Sequence, residues 1–113
     1  MYTAPSAKRP TVGPTSHYVR WKFDPNATDF HVEPTELVNL EGEMPHVDSR
    51  YATKQYKYVF LAMTDPTKPR PVAGGMYNAI SKCNVNDGTY QYWSAGETVS
   101  LHEVAFVPRS PEG

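Results

Sequence analysis

Eleven prolines are scattered through this 113-residue chain. Each withholds a backbone donor and clashes with the preceding turn of a helix, so the spacing leaves little room for long helices. Eight Tyr, four Phe and two Trp add residues that suit a pleated surface. No helix of three turns is visible in the pattern, and the expected class is all-β.

Residues 1–17 hold Pro5, Pro10 and Pro14 with Gly13 and almost no large apolar side chain. Such a stretch cannot bury enough surface to order itself, so it reads as a flexible lead-in to a domain spanning 18–113. From Tyr18 to Phe23 bulky residues fall mainly on one parity with basic ones between, the period of a half-buried strand, which Asp24-Pro25-Asn26 stops. Residues 30–33 and 36–40 are the next short strands, parted at Pro34. Gly42-Glu43-Met44-Pro45 reads as an irregular crossing, because proline restrains itself and Met44 and gives no donor. The strongest strand is 56–63, apolar on both faces towards its end as an inner strand would be. Proline then forces a loop over 65–71, and 76–85 is the following strand. Asp87-Gly88 suits the positive φ angles of a tight hairpin, with 89–94 returning. A last strand is expected over 102–107, ended by Pro108. The last four of these strands make an antiparallel meander, the plan of one propeller blade.

Charge narrows the partners. Lys and Arg number 11 against 12 Asp and Glu, for a net charge of −1, so no overall positive field exists to hold nucleic acid. Cys83 is the single cysteine, which excludes an internal disulfide, fits a reducing compartment and reads as a small buried hydrophobe. No apolar run approaches a membrane span and 1–12 has no secretory apolar core, so the expected location is cytoplasmic. Asn26-Ala27-Thr28 fits the glycosylation acceptor pattern but follows Asp24-Pro25 and is read as a turn.

Two ordered clusters carry a resemblance. The first is Gly42-Glu43-Met44-Pro45-His46-Val47-Asp48, continuing through Arg50-Tyr51 to Tyr56-Lys57-Tyr58. The second is His102-Glu103-Val104-Ala105-Phe106-Val107-Pro108-Arg109. Between them lie the Asp-Gly hairpin and an aromatic strand with Trp93, and upstream stands Arg20-Trp21-Lys22-Phe23-Asp24. In content and order these resemble the Glu-Phe-Pro and Glu-Pro-x-Phe-Val-Pro-Arg elements of the carotenoid oxygenase family, the carotenoid, apocarotenoid and stilbene cleavage dioxygenases. Met44 stands for the usual Phe, His46 for another polar residue, and Val104 for the proline after the glutamate.

The resemblance implies a seven-bladed β-propeller much longer than this chain, of which 18–113 would form one to two blades and be incomplete alone. It implies an iron(II) held by four histidines lying in motifs outside this segment, with dioxygen and a carotenoid, apocarotenoid or stilbene as reactants. Glu43 and Glu103 match two of the glutamates that accept the Nδ1 hydrogen of iron-ligating imidazoles, a bond that fixes the tautomer and raises ligand basicity. By this reading His17, His31, His46 and His102 are not iron ligands, His31 and His102 sit on strands and His46 in a loop. The chain alone would bind no metal, supply scaffold and outer carboxylates only, and be poorly soluble through its unpaired strand edges. The competing expectation is a non-catalytic propeller remnant or protein-binding module that uses its tyrosines for contact.

Overall fold

In the computed structural model, residues 16–29, 31–67 and 77–112 are described. Most of the expected lead-in and of the 65–71 loop therefore lies outside the described residues. Five strands run β1 (His17–Arg20), β2 (Thr35–His46), β3 (Tyr58–Met63), β4 (Ala79–Asn84) and β5 (Tyr90–Ser94), with one 3-10 turn at Ser49–Tyr51. They form a single antiparallel sheet in the order β1-β2-β3-β4-β5, so each strand pairs with its neighbours in sequence. The all-β antiparallel meander expected from the sequence is observed. Its membership differs at both ends.

β2 organises the sheet because two ladders share it. Its first half pairs with β1, Tyr18 opposite Val38 and His17 opposite Glu41, and its second half with β3, Gly42 opposite Met63. The change of partner falls at Gly42, where a Cβ atom would lie 3.0 Å from the Ala62 carbonyl oxygen and 3.2 Å from Leu61 Cβ. Glycine is there because two backbones meet with no room for a side chain.

The expected break over 42–45 is therefore corrected: the strand continues through it as a β-bulge. Glu43 faces Ala62 and His46 faces Phe60, so two residues of β2 stand opposite one of β3. Pro45 is tolerated because the bulge skips the ladder at that point, and Met44 absorbs the extra residue at φ 51°. A left-handed methionine costs about 1–3 kcal/mol, held in place by the pairing on either side.

The corner turns the first half of β2 back over the β3–β4 face. Val38 and Leu40 join Val59, Leu61, Met63, Ala79, Cys83 and Val85 in one buried cluster, flanked by Tyr18, Leu37, Val47 and Tyr56. The β4–β5 turn reaches under this half, since a Cβ on Gly88 would lie 3.5 Å from the Leu37 carbonyl oxygen. In β3 and β4 the buried residues on this face are cross-strand partners: Val59 with Cys83, Leu61 with Ser81, Met63 with Ala79. Burying a side chain such as Leu61 is worth about 1.5–3 kcal/mol. Asn78, fully buried, ties the far end: its Oδ1 accepts from Asp65 N at 2.7 Å and its carbonyl from Ala95 N at 2.8 Å.

The Asp-Gly hairpin is present in a looser form than the sequence suggested. Four residues, 85–88, separate Asn84 from Thr89, and Gly88 alone of the pair is left-handed, at φ 74°. Asp87 instead caps the return, its Oδ1 accepting from Thr89 N at 2.9 Å and Thr89 Oγ1 at 2.6 Å. That hydroxyl bond holds the Asp87 carboxyl below its ordinary value.

Three strand expectations fail. β1 ends at Arg20, leaving Trp21 and Phe23 53% and 71% exposed. Its partner β2 begins at Thr35, because Pro34 has no N–H to extend the ladder. Residues 31–33 are not a strand, and Phe30 lies outside the described residues. Residues 102–107 form no strand either: Leu101 makes an isolated bridge to Tyr77, after which the chain crosses the sheet face. By contrast Asp24-Pro25-Asn26 is a turn as expected, closed by Ala27 N on the Asp24 carbonyl at 3.1 Å.

Candidate functional site

The two motif clusters, some sixty positions apart, are brought together on the sheet face opposite the buried cluster. Phe106 stacks on Phe60 of β3 with centroids 5.3 Å apart and planes 26° from parallel. Further along, Arg50 Nη1 donates to the carbonyls of Pro111 at 3.1 Å and Ser110 at 3.4 Å. Asp48 grips the same guanidinium, its carboxylate accepting from Arg50 Nε and Nη2 while also capping the 3-10 turn through Arg50 N at 3.0 Å. The Arg50 bond holds the Asp48 carboxyl below its ordinary value, and the carboxylate in turn raises the guanidinium. Such planar, two-point pairing is specific to arginine. The result is a strap, 102–112, laid across the sheet.

Glu43 lies in β2 one residue past the corner and is exposed. Its Oε1 accepts from Ser16 Oγ at 2.6 Å, and Ser16 is held there by its own carbonyl, which accepts from Gly42 N at 3.0 Å. Glu103 is exposed near the start of the strap. Thus the strand carrying Glu43 and the strap carrying Glu103 are joined through Phe60–Phe106 and Arg50, and no hydrogen bond or ion pair links the two carboxylates to each other.

The histidines are placed differently from expectation. His46 is in β2 rather than a loop, since the bulge carries the strand past Pro45, while His31 and His102 are outside strands. His17 in β1 pairs with Glu36 across the ladder at 2.7 Å, and His31 with Glu33 at 2.6 Å. Among the described residues no three His, Cys, Asp or Glu side chains gather as a metal site. No helix among them is long and apolar enough to cross a membrane.

Beside the strap a groove of about 1140 Å³ opens. Among the described residues six cationic side chains line it, Arg20, Lys22, Arg50, Lys54, Lys57 and Lys82, against one carboxylate, Asp48. Tyr58 sits between two of them, with Lys82 Nζ 4.2 Å and Lys57 Nζ 5.3 Å from its ring centroid. At the groove's wall Tyr56 shares a 2.5 Å hydroxyl bond with Tyr18 behind it, and Tyr18 is pushed well above the ordinary tyrosine range, first by burial and then by that bond. Neither the groove nor the Ser16 contact is legible in the sequence. The cations come from three segments whose charges cancel in the total, and Ser16 carries no signal beyond a hydroxyl. Arg50 stands inside the first motif beside Asp48, but its partners on the strap are sixty residues away.

Comparison with known proteins gives this geometry a lineage. The model of the Retinal pigment epithelial membrane protein family, RPE65, matches residues 2–113. An isoeugenol monooxygenase of Pseudomonas nitroreducens is 33% identical over 96 residues, covering 81% of this chain and 20% of the relative. Carotenoid cleavage oxygenase 1 of Neurospora crassa is 34% identical over 91 residues, 71% of this chain and 17% of the relative. The crystal structure of a lignostilbene dioxygenase from Pseudomonas brassicacearum superposes with a TM-score of 0.74 at 32% identity, over 83% of this chain and 21% of that one. The chain spans about a fifth of the length of these relatives. With a family model matching almost every residue, the chain belongs to the retinal pigment epithelial membrane protein family, that of the carotenoid oxygenases.

Proposed function

We propose that this chain is one part of a non-haem iron(II) dioxygenase that cleaves a conjugated carbon–carbon double bond, with a stilbene as the first substrate class to test. The observation that carries the reading is the superposition on a lignostilbene dioxygenase at 32% identity, supported by relatives named for isoeugenol, resveratrol and carotenoids. In the reaction one dioxygen and one alkene give two carbonyl products, each former alkene carbon taking one oxygen atom. Residues 18–113 would contribute one to two blades of the propeller, in a cytoplasmic protein.

The residues present fit an outer role at the iron rather than ligation. Glu43 has one carboxylate oxygen engaged by Ser16 and no second partner among the described residues, and Glu103 is exposed with none. Each can therefore accept the Nδ1 hydrogen of an imidazole supplied from beyond this segment, turning the other ring nitrogen outward. Bound iron(II) would supply the activation of dioxygen. Glu43 and Glu103 would hold the ligand rings in one tautomer and orientation, and the strap fixed by Arg50 would set the spacing between the two carboxylates.

The test uses the protein expressed from the complete reading frame that contains these residues, loaded with Fe(II) and supplied separately with resveratrol, isoeugenol and a carotenoid. Aldehyde products from one of the three are expected. Glu43→Gln and Glu103→Gln should each reduce iron affinity or turnover about 10–100-fold, the usual cost of an outer partner. Unchanged iron content and rate in both variants would remove the carboxylates from the reading, and absence of cleavage of all three substrates would remove the activity.

A further inference from the structure

We propose that the cationic groove beside the strap is the docking site of an acidic polypeptide segment supplied by the same molecule from outside these 113 residues. Arg20, Lys22, Arg50, Lys54, Lys57 and Lys82 converge on one opening of about 1140 Å³ in a chain whose net charge is −1. Segregation of this kind leaves a strong local field that the total conceals. Among the described residues one carboxylate lines the groove, Asp48, and it is already taken up by Arg50. Asp87 feels Lys57 from outside the groove but is held by Thr89. Two ammonium groups stand over the Tyr58 ring, whose negative face is a partial stand-in for an anion. Lys57 and Lys82 are thus collected at one spot, and among the described residues the one carboxylate of the lining is engaged by Arg50 instead.

Aromatic surface accompanies the charge. Tyr51 and Tyr58 remain 48% and 39% exposed at the groove, and Phe60 and Phe106 form its floor. A cationic rim around aromatic walls fits a chain that brings carboxylates together with apolar side chains. The source is the same polypeptide because the matched relatives carry about four-fifths of their length outside the part that aligns here. Family membership bears on the source only; the charge and shape of the groove do not depend on any role at iron.

Lysine acylation by acetic anhydride tests this in the product of the complete reading frame at two ionic strengths, low salt and about 1 M salt, which screens the charges. Lys54, Lys57 and Lys82 should be acylated about tenfold more slowly at low salt, the factor given by docking worth about 1.4 kcal/mol. A zero-length carbodiimide should then join at least one of them to an Asp or Glu outside these residues within the same molecule. Reversal by Lys54→Glu with Lys57→Glu and Lys82→Glu should abolish the cross-link, and a milder Lys82→Gln variant should lower its yield while leaving the fold intact. Equal acylation at both ionic strengths, cross-links only between separate molecules, or a reading frame that holds no further residues would each overturn the proposal. Protection appearing only with anionic phosphatidylserine vesicles would assign the groove to lipid and overturn it as well.

Discussion

β3 and β5 flank the same strand and are treated by the fold in opposite ways. Both pair continuously with β4, residue by residue, and both are rich in large side chains. Yet four of the six residues of β3 are buried, whereas no residue of β5 is, and Trp93 is 62% exposed. The difference is not in the ladders. β3 is covered because β2 turns at Gly42 and lays Val38 and Leu40 over it, while nothing among the described residues lies over Tyr92 or Trp93. Strand pairing is settled between neighbours, but burial needs a third element, and that element is supplied here for one side of β4 only.

The sharpest way to break the comparison is a matched truncation. Leu61→Ala in β3 should cost about 2–5 kcal/mol in urea unfolding of the chain, whereas Trp93→Ala in β5 should stay within about 0.5 kcal/mol. Equal losses would mean that β5 is covered after all. Next in size is the corner itself. Gly42→Ala places a Cβ 3.0 Å from the Ala62 carbonyl oxygen, and the shift needed should cost about 1–3 kcal/mol; a neutral result would show that the two halves of β2 can separate freely.

Acid offers a subtler probe of the strap. Because Arg50 depresses the Asp48 carboxyl, its stabilising contribution is complete above the ordinary value of 3.8 and is lost as pH falls through the lower folded value. Amide resonances of Ser110 and Glu112 should therefore hold their positions down to about that pH and move below it, and Arg50→Lys should move them at every pH. The smallest effect belongs to Cys83, which lies between covered Val59 and uncovered Tyr90 in the ladder. Burial raises its thiol, so labelling by a maleimide at neutral pH should be slow and should accelerate in Leu61→Ala.

What could be read from the residues follows the same division. β3, β4 and the return through β5 were legible because their information is local: apolar runs, β-branched and aromatic residues, and Asp-Gly between them. The continuation of β2 through Met44-Pro45 was not, since a bulge depends on the partner's register and proline alone argues for a break. Residues 102–107 look like a strand, but pattern does not say which edge would receive them, and the stacking of Phe106 on Phe60 draws them across the face instead. Glu43 and Glu103 were visible only as parts of motifs. The contacts around them, from Ser16 and from Arg50, join positions 27 and 60 apart or more and left no local trace.

The strictly sequential strand order has a bearing on how such a sheet comes into being. Among the described residues each strand pairs with its predecessor, so the closure entropy of each step is that of the single connection between them, shortest at the β4–β5 turn. Emerging from a ribosome, the β1–β2 ladder can form before β3–β5, and each later hairpin of the five strands can add to it in turn. Assembly is then vectorial: the finished margin is made early, and the growing margin, Tyr90 to Ser94, remains receptive to whatever arrives next.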